Sequence, residues 1–474
     1  MSSEVKVDED LYSRSIFTYG LDTIQKLSTM KILIIGMRGL GVETAKNIIL
    51  SGPEEVDIFD PTLTSIKDLS SNFFLSESDV GKINRDEACL KKLSQLNSYV
   101  KVDILKVEQK NNIDDYIKSF CEKINKYNVV VFTELHPMYF IDKIDKECRE
   151  KGIKLIYGVC LGLAGYVFTD FGPKYNILDE TGEENQSYLI KNITKEKNAL
   201  VTIDNIQGTN NLSLGDGDYV YFKGVEGMTE LNEEGREYQI KFEDYQSFKI
   251  GDTTSFGDYK KGGIVYQIKK PKEMMYYDFS QRATMICDYY HPLCNADATK
   301  SGRAELLYMA LSGVHDFYLK NNCTLPELNN MDQAKEILSN VKKMYDMAKE
   351  KKFPCYEKIQ EFDEKVVLNV ARWAAANITP ICAFFGGIIA QEIIKTTGKY
   401  IPINQWLIFD FFETVENLGE NIDRTLKNSR YDDQIAIFGN EIQKKIQESN
   451  MFMVGAGATG CEFLKNFAMM GFCI

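Results

Sequence analysis

Residues 32–41 read Ile-Leu-Ile-Ile-Gly-Met-Arg-Gly-Leu-Gly, a short apolar run followed at once by three glycines within six positions. Residues 42–50 continue as an amphipathic stretch that is typical of a helix. Residues 451–460 have the same arrangement, Met-Phe-Met-Val-Gly-Ala-Gly-Ala-Thr-Gly, and an amphipathic stretch follows at 461–469. Strand, glycine turn and helix in this order open a βαβ nucleotide-binding unit. The sequence therefore predicts two such openings, with strands at 32–35 and 451–454.

The two openings belong to a longer internal repeat. Residues 12–52 align without a gap onto residues 431–471, at a constant offset of 419. Identical residues in this register include Tyr12 and Tyr431, and the glycines keep the same spacing in both copies. A repeat in one register with matching glycines indicates two copies of one structural unit.

The first copy continues into a complete domain. Apolar runs at 56–59, 129–132 and 155–157 predict further buried strands, with helical segments between them. Strands that alternate with helices indicate a mostly parallel sheet with helices on both faces. Residues 1–171 are therefore predicted to form a doubly wound, Rossmann-like α/β domain.

The two glycine loops differ at one position that matters for phosphate binding. In the Gly-x-Gly-x-x-Gly fingerprint the second glycine lets a phosphate approach the backbone. The second copy has all three glycines, Gly455, Gly457 and Gly460, whereas Arg38 takes the place of the second glycine in the first copy. We therefore predict that the second loop binds a nucleotide and that the first loop is a retained scaffold.

An arginine in the first copy complements the second loop. Arg14 aligns with Asp433 across the repeat. A guanidinium can donate paired hydrogen bonds to a triphosphate, which an aspartate would repel. One copy is thus predicted to supply Arg14 and the other the glycine loop, although spacing alone is equally compatible with Arg14 as a surface arginine in an ordinary ion pair.

The motifs around these loops resemble one known family. The sequence is similar to the N-terminal half of the ubiquitin-activating enzymes, within the ThiF/MoeB-like adenylating superfamily. The similarity spans nearly the whole chain, and the following segments carry it: DEDLYSR at 8–14, GMRGLGVE at 36–43, DLSSNFF at 68–74, LNSYV at 96–100, KGGI at 261–264, AFFGG at 383–387, NSRYDDQIAIFG at 428–439 and VGAGATGCE at 454–462.

This resemblance implies an ATP-dependent ligase. Such an enzyme adenylates the C-terminus of ubiquitin, captures ubiquitin as a thioester on a cysteine and passes it to a ubiquitin-conjugating enzyme. The implied cofactors are ATP and Mg²⁺, and the implied partners are ubiquitin and conjugating enzymes, without nucleic acid or membrane. The implied location is cytoplasmic and nuclear.

The resemblance also implies the site residues. The positions that match the family's ATP contacts are Arg14, Gly455, Gly457, Ala458 and Gly460. The chain departs from the family's usual pattern at Ser15, where a glutamine is usual, and at residues 373–377, where Arg-Gly-Asp is absent. No catalytic residue is expected in this chain, because the family's catalytic cysteine would lie beyond residue 474.

The resemblance also implies domain boundaries for the rest of the chain. The predicted domains are an inactive adenylation repeat at 1–171 and 363–419, a β-rich insert at 172–263, a four-helix bundle insert at 272–357, and the start of the active repeat at 424–474. The β-rich insert is expected to be a small barrel, since short strands at 200–203, 219–222, 238–242 and 247–250 alternate with turn signals. Helices are predicted at 304–319 and 331–350.

The composition and the positions of the cysteines and histidines argue against several kinds of protein and site. The 69 acidic and 56 basic side chains give a charge of −13, which argues against a nucleic-acid binder. The longest apolar stretch, residues 381–390, is half of what a membrane span needs, and the start of the chain has no signal-peptide pattern. The sequence thus predicts a soluble, intracellular protein. Eleven scattered cysteines without a Cys-x-x-Cys pair and three distant histidines predict no metal site, and Cys160 is assigned to packing.

Two other functions remain open from the sequence. A nicotinamide-dependent oxidoreductase would also use a glycine fingerprint, and a non-catalytic scaffold could dock a ubiquitin-like protein.

Asp60 lies 24 residues after Gly36, where such folds place the acidic residue for the ribose, and its counterpart at offset 419 would be residue 479. We therefore expect the isolated chain to form neither adenylate nor thioester, and its last 20 or so residues to be poorly ordered or prone to association.

Overall fold

The computed structural model describes residues 7–108, 112–204, 212–281, 300–419 and 421–473. The chain divides into two compact units. The first comprises Met1–Tyr175, Met274–Thr397 and Pro402–Ile474, and the second comprises Asn176–Glu273 and Gly398–Ile401.

The first unit contains one seven-stranded sheet and most of the helices, numbered here along the chain. Its strands are β1 Lys31–Ile35, β2 Glu55–Phe59, β3 Lys101–Ile104, β4 Val129–Phe132, β5 Lys154–Leu161, β6 Ala164–Asp170 and β16 Trp406–Asp410. Its helices are α1 Ser13–Tyr19, α2 Leu21–Leu27, α3 Gly39–Ser51, α4 Arg85–Ser94, α5 Ile113–Lys123, α6 Met138–Lys151, α7 Arg303–Lys320, α8 Met331–Glu350, α9 Pro354–Lys358, α10 Glu364–Trp373, α11 Thr379–Lys395, α12 Asp432–Phe438, α13 Asn440–Gln447 and α14 Ala458–Met470.

The strand order of this sheet is β16-β6-β5-β4-β1-β2-β3. The five strands from β5 to β3 pair in parallel, and β6 and β16 add an antiparallel edge. The chain reverses its direction of strand addition between β1 and β4, and ligands of open α/β sheets bind at the carboxyl ends of the strands beside such a point. The predicted α/β fold class is confirmed, and its topology directs attention to the loops after β1 and β4.

Close packing between two helices holds α3, the helix that follows the loop after β1. The central strand β1 is almost completely buried, since Ile32, Leu33 and Ile34 have no exposed surface. Helix α11 packs so closely on α3 that a Cβ atom at Gly386 would lie 2.7 Å from Cβ of Glu43. Only glycine permits this approach without a shift.

The second unit is antiparallel. The strands of this part of the chain are β7 Tyr175–Ile177, β8 Ser187–Ile193, β9 Leu200–Ile203, β10 Tyr219–Lys223, β11 Tyr238–Gln239, β12 Lys241–Asp244, β13 Ser247–Lys249, β14 Ile264–Ile268 and β15 Lys272–Met274. Seven of them form a sheet in the order β11-β10-β14-β8-β9-β13-β12. Its apolar core includes Phe222, Phe248 and Val265, which are at most 2% exposed.

The β-structure extends further along the chain than the sequence indicated. Strand β14 begins directly after residue 263, where the predicted β-rich segment ends, and pairs with both β8 and β10. Strand β15 lies inside the segment from residue 272 that was expected to be helical. The glycines at 262 and 263 have φ of 69° and 98°, so they form a turn within the unit and not a boundary between domains. The predicted helices at 304–319 and 331–350 correspond to α7 and α8, while the barrel and the four-helix bundle stay predictions.

None of the helices in the described ranges is both long and apolar enough to cross a bilayer.

Candidate nucleotide site

The sequence repeat is also a structural repeat. Helices α1 and α3 recur as α12 and α14 with both ends displaced by 419 positions, and α2 recurs as α13 with one extra residue. Equivalent glycines have matching backbone angles: φ is 95° at Gly36 and 97° at Gly455, and 85° at Gly52 and 84° at Gly471. All four lie in the region that only glycine adopts readily.

One element of the second copy differs from the prediction. Residues 451–454 were predicted to form a strand, but they have no regular structure, and the Phe452 and Val454 side chains are 92% and 86% exposed. Their counterpart β1 is hydrogen-bonded to β2 on one side and to β4 on the other. No strand pairs with residues 451–454 in the described part of the chain, so their backbone lacks the partners that stabilise a strand.

The second glycine loop is open. A Cβ atom placed at Gly455 or at Gly457 would meet no other atom within 4 Å. Gly457 is the N-cap of α14, a helix of 13 residues, and Gly455 to Thr459 are all exposed. The first backbone N–H groups of a helix have no intrahelical acceptor and favour anions. The three predicted loop contacts Gly455, Gly457 and Ala458 therefore surround free space at a helix start, while Gly460 is buried below them.

The first glycine loop is closed by the protein's own side chains. Met37 N donates to Asp60 Oδ2 at 2.8 Å, and Met37 O accepts from Asn72 Nδ2 at 2.7 Å. Arg38, at the second-glycine position, lies 3.3 Å from Asp68. Asp60 thus caps the loop and is not left free for a ribose, so the predicted scaffold role fits this geometry.

Sequence analysis missed the charged groups behind this loop. Arg85 lies within 3.3 Å of three carboxylates, those of Asp60, Asp68 and Glu134. Burial alone would raise the pKa of Asp68, but the charges of Arg85 and Arg38 outweigh it and lower the pKa. Asp60 and Glu134 follow the carboxyl ends of β2 and β4. A cavity of about 370 Å³ lies beside the group and is lined in part by Arg38, Arg85 and Glu134.

Glu134 is the least favourably placed of these carboxylates. Burial and the charge of Asp60 raise the pKa of Glu134 to about 7, although Arg85 and Arg38 act in the opposite direction. The folded protein therefore binds a proton at Glu134 between about pH 4.5 and 7 that the unfolded chain does not bind. The ionised carboxylate destabilises the fold above pH 7, and this cost disappears as the pH falls below 4.5.

We expect Glu134→Gln to raise the melting temperature at pH 8 and to leave it almost unchanged at pH 4, below the ordinary glutamate pKa of 4.5. The gain at pH 8 corresponds to about 1–3 kcal/mol, because one pKa unit is worth about 1.4 kcal/mol. Thermal unfolding at the two pH values measures it, with the exposed Glu234→Gln as the control that should shift neither. An equal shift at both pH values, or a lower melting temperature at pH 8, would contradict this assignment.

Asp433, which aligns with Arg14 in the repeat, contacts residues of the first copy. Asp433, on α12 of the second copy, is 1% exposed and accepts hydrogen bonds from the backbone N–H of Asn377 at 2.8 Å and from Ser70 Oγ at 3.1 Å. Burial raises its pKa, against the charge of nearby Arg38. The second copy thus places a carboxylate beside the closed loop of the first copy.

Arg14 occupies the equivalent place on α1, but it is exposed. Its guanidinium has no hydrogen-bond or ion-pair partner within the residues that the structure describes. The ordinary ion pair that the spacing left open is thus not found among the described residues.

The remaining predicted roles concern Cys160 and the histidines. Cys160 is buried, and burial raises the pKa of its thiol well above the usual value, which disfavours a nucleophilic thiolate. Burial lowers the pKa of His136 to about 4, and its carbonyl oxygen lies 2.8 Å from Nε2 of His315. His291 lies outside the described residues. Among those described, no three His, Cys, Asp or Glu side chains form a group that could hold a metal ion.

Comparison with known proteins decides the family. The sequence matches the ThiF family over residues 12–427 and again over residues 431–473, which are the two copies of the repeat with the inserted segments. The chain belongs to the ThiF family. The predicted resemblance is confirmed at this level.

Relatives of this ThiF-family chain carry related names. It is 37% identical over 473 residues to "Ubiquitin-activating enzyme E1 1" of Triticum aestivum, an alignment that covers 98% of this chain and 42% of the relative. It is 36% identical over 475 residues to "Ubiquitin-like modifier-activating enzyme 1" of Homo sapiens, covering 99% of this chain and 42% of the relative. The chain thus spans about two fifths of the length of these relatives.

A likeness to solved structures is weaker. "Crystal structure of E. coli MccB + Succinimide" aligns with 34% of this chain and 49% of that chain, at 22% identity and a TM-score of 0.30.

Proposed function

We propose that this chain is the N-terminal part of an ATP-dependent ubiquitin-activating enzyme. The similarity of 36–37% over almost the whole chain to relatives named ubiquitin-activating enzyme and ubiquitin-like modifier-activating enzyme supports the substrate class. The contrast between an open second loop and a closed first loop supports the division of labour between the copies. Of these observations, the open loop at the start of α14 carries the assignment of the nucleotide.

The nucleotide site is composite in this proposal. The backbone N–H groups of Gly457, Ala458 and the residues after them bind the triphosphate, and the absence of a side chain at Gly457 admits it. Arg14 of the first copy donates to the phosphates from the other side. We assign Mg²⁺ to the triphosphate itself, which is how this ion usually enters ATP sites, and assign no protein ligand to it.

The reaction follows from these contacts. A carboxylate oxygen at the C-terminus of ubiquitin attacks the α-phosphorus of ATP, and pyrophosphate leaves with the bonding electrons. The charge that develops on the phosphates is stabilised by the loop N–H groups and by Arg14. A thiolate then attacks the acyl carbon of the adenylate and releases AMP, and the resulting thioester passes to a conjugating enzyme. We assign that cysteine to the part of the relatives that this chain does not span.

The exposed surface of α1 supports the docking of a further part of the protein on this helix. Helix α12 of the second copy is buried, with Asp433, Ile435 and Ala436 at most 2% exposed. The equivalent α1 carries Phe17 at 93% exposure. We propose that the remainder of the second adenylation repeat covers α1, and with it Phe452 and Val454.

The proposed function can be tested by joining this chain to the part that it does not span. We expect the chain alone to form neither ubiquitin adenylate nor thioester, and the chain joined to the C-terminal remainder of a related ubiquitin-activating enzyme to form both in the presence of Mg²⁺ and ATP. Release of pyrophosphate and a thiol-sensitive ubiquitin adduct measure the two steps, and the C-terminal remainder alone is the control. A thioester formed by the chain alone would overturn the division of roles, and failure of the joined protein would overturn the proposed function.

A further inference from the structure

Four charged side chains join the two copies of the repeat. Lys46 Nζ lies 3.0 Å from a carboxylate oxygen of Glu43 and 2.6 Å from Glu462, and Lys465 Nζ lies 2.8 Å from Glu462 and also pairs with Glu43. Opposite charges alternate around this ring. We call these four side chains the ion quartet.

The ion quartet has the symmetry of the repeat. Glu43 and Glu462 are 419 positions apart, and so are Lys46 and Lys465. Each helix thus contributes one glutamate and one lysine from equivalent turns, and each residue bonds both its own helix and the other. This is the arrangement of an isologous contact, in which the same patch meets itself.

Three of the four side chains are shielded from water, while Glu462 is 46% exposed. The Glu43 and Lys46 side chains are 1% and 7% exposed, and that of Lys465 is 15% exposed. Both ammonium groups also lie over the ring of Phe73, at 5.9 and 4.8 Å from its centre. Burial disfavours the charged form of Lys46, but Glu43 and Glu462 outweigh it and raise the pKa of Lys46. Ion pairs that water reaches less readily interact more strongly than surface pairs.

The quartet lies next to the open loop. Glu462 and Lys465 are the fifth and eighth residues of α14, and Glu462 is two residues after Gly460. The far end of α14 is held within its own copy, where the Gln434 and Gln443 side-chain amides donate to Met470 O at 3.0 and 3.1 Å. Among the described residues, the side-chain bonds from the first copy to the first part of α14 are those of the ion quartet.

We propose that the ion quartet fixes the register of the open loop against the first copy, and that Glu43 and Lys46 are positioning residues for the nucleotide. The claim rests on the proposed function for the identity of the ligand. Glu43 and Lys46 hold the start of α14, and therefore the Gly457 N–H, at a set distance from the α1 helix that carries Arg14. They act through α14 and have no contact with phosphate in this proposal.

The test exchanges charges without changing composition. In Glu462→Lys/Lys465→Glu the pair within α14 is kept, but both contacts to α3 become repulsive. Adding Glu43→Lys/Lys46→Glu reverses the whole ring and restores every attraction. The matched control is Glu441→Lys/Lys445→Glu, which exchanges an exposed pair on α13 that is separated by 2.9 Å.

Two readouts separate the proposal from the function on which it rests. In the chain alone, we expect amide hydrogen exchange at residues 458–466 to rise at least tenfold in the double variant, and to return to within threefold of wild type in the fourfold variant. In the joined protein, we expect the KM for ATP to rise at least tenfold in the double variant, with recovery in the fourfold variant and a smaller change in the KM for ubiquitin.

The outcomes are decisive in each arm. Unchanged exchange in the double variant, or no recovery of either readout in the fourfold variant, would overturn the register role. Equal rises of the two KM values would also overturn it, since an effect that acts through the open loop should weaken ATP binding more than ubiquitin binding. If the joined wild-type protein does not use ATP, the proposed function fails, and hydrogen exchange in the chain alone still decides whether the quartet holds α14.

Discussion

Gly457→Val is expected to remove nucleotide binding at the second loop while leaving the fold intact. The backbone at Gly457 has φ of −72° and ψ of −166°, which is extended backbone that valine adopts easily. A Cβ atom at this position would have no other atom within 4 Å, so a side chain begins in open space there. The valine side chain would occupy the space in which a phosphate approaches the loop. We expect at least a hundredfold weaker use of ATP by the joined protein, measured by ATP–pyrophosphate exchange, and a melting temperature within about 2 °C of wild type.

The matched control is Arg38→Val at the equivalent position of the first loop. Met37 N is already bonded to Asp60 there, so this loop has no free cradle to lose, and exchange should stay within about threefold of wild type. Equal losses in the two variants would contradict the difference between the loops. A large drop in melting temperature for Gly457→Val would show that its effect comes from folding.

Gly41→Ala is expected to cause the largest loss of stability. A Cβ atom at Gly41 would lie 1.8 Å from the carbonyl oxygen of Gly36 and 2.8 Å from Thr133 Oγ1. The first is backbone in the tight turn after β1 and cannot move without breaking that turn. Overpacking of this kind costs about 3 kcal/mol or more when backbone must shift. Chemical denaturation should show this loss in the free energy of unfolding.

Gly387→Ala is the control in the same unit. Gly387 lies inside α11, and a Cβ atom there would meet nothing within 4 Å. Alanine is the better helix former by about 1 kcal/mol, so stability should stay level or rise. Equal destabilisation by the two alanines would contradict the assignment of Gly41 to close packing.

Local sequence signals were enough to predict much of the first copy. Strands β1 and β4 were located to within one residue because their apolar runs are bounded by polar or glycine residues. The amphipathic stretches predicted at 42–50 and 461–469 lie inside α3 and α14, which begin three residues earlier, within the glycine loops themselves.

The failures have one physical cause, which is that the deciding partners are distant in sequence. Residues 451–454 have the composition of a strand, but a strand needs hydrogen-bonded neighbours and none is described beside them. The network that closes the first loop joins Arg85 to Asp60 and Glu134, 25 and 49 positions away, and nothing in the local sequence connects them. The repeat did hold one usable signal: Asp433 aligns with Arg14, and its burial beside the first loop is the best indication of where Arg14 acts.

The composite site is tested most directly by ATP–pyrophosphate exchange in the joined protein, with Arg14→Ala compared with Arg38→Ala. Loss of a charge-assisted contact to phosphate costs about 1.5–3 kcal/mol, which is roughly a 10- to 150-fold fall in the exchange rate. We predict this fall for Arg14→Ala and a change of less than about threefold for Arg38→Ala, because the Arg38 guanidinium pairs with Asp68 and its loop holds no nucleotide. Equal falls in the two variants would contradict a site built from Arg14 of one copy and the glycine loop of the other.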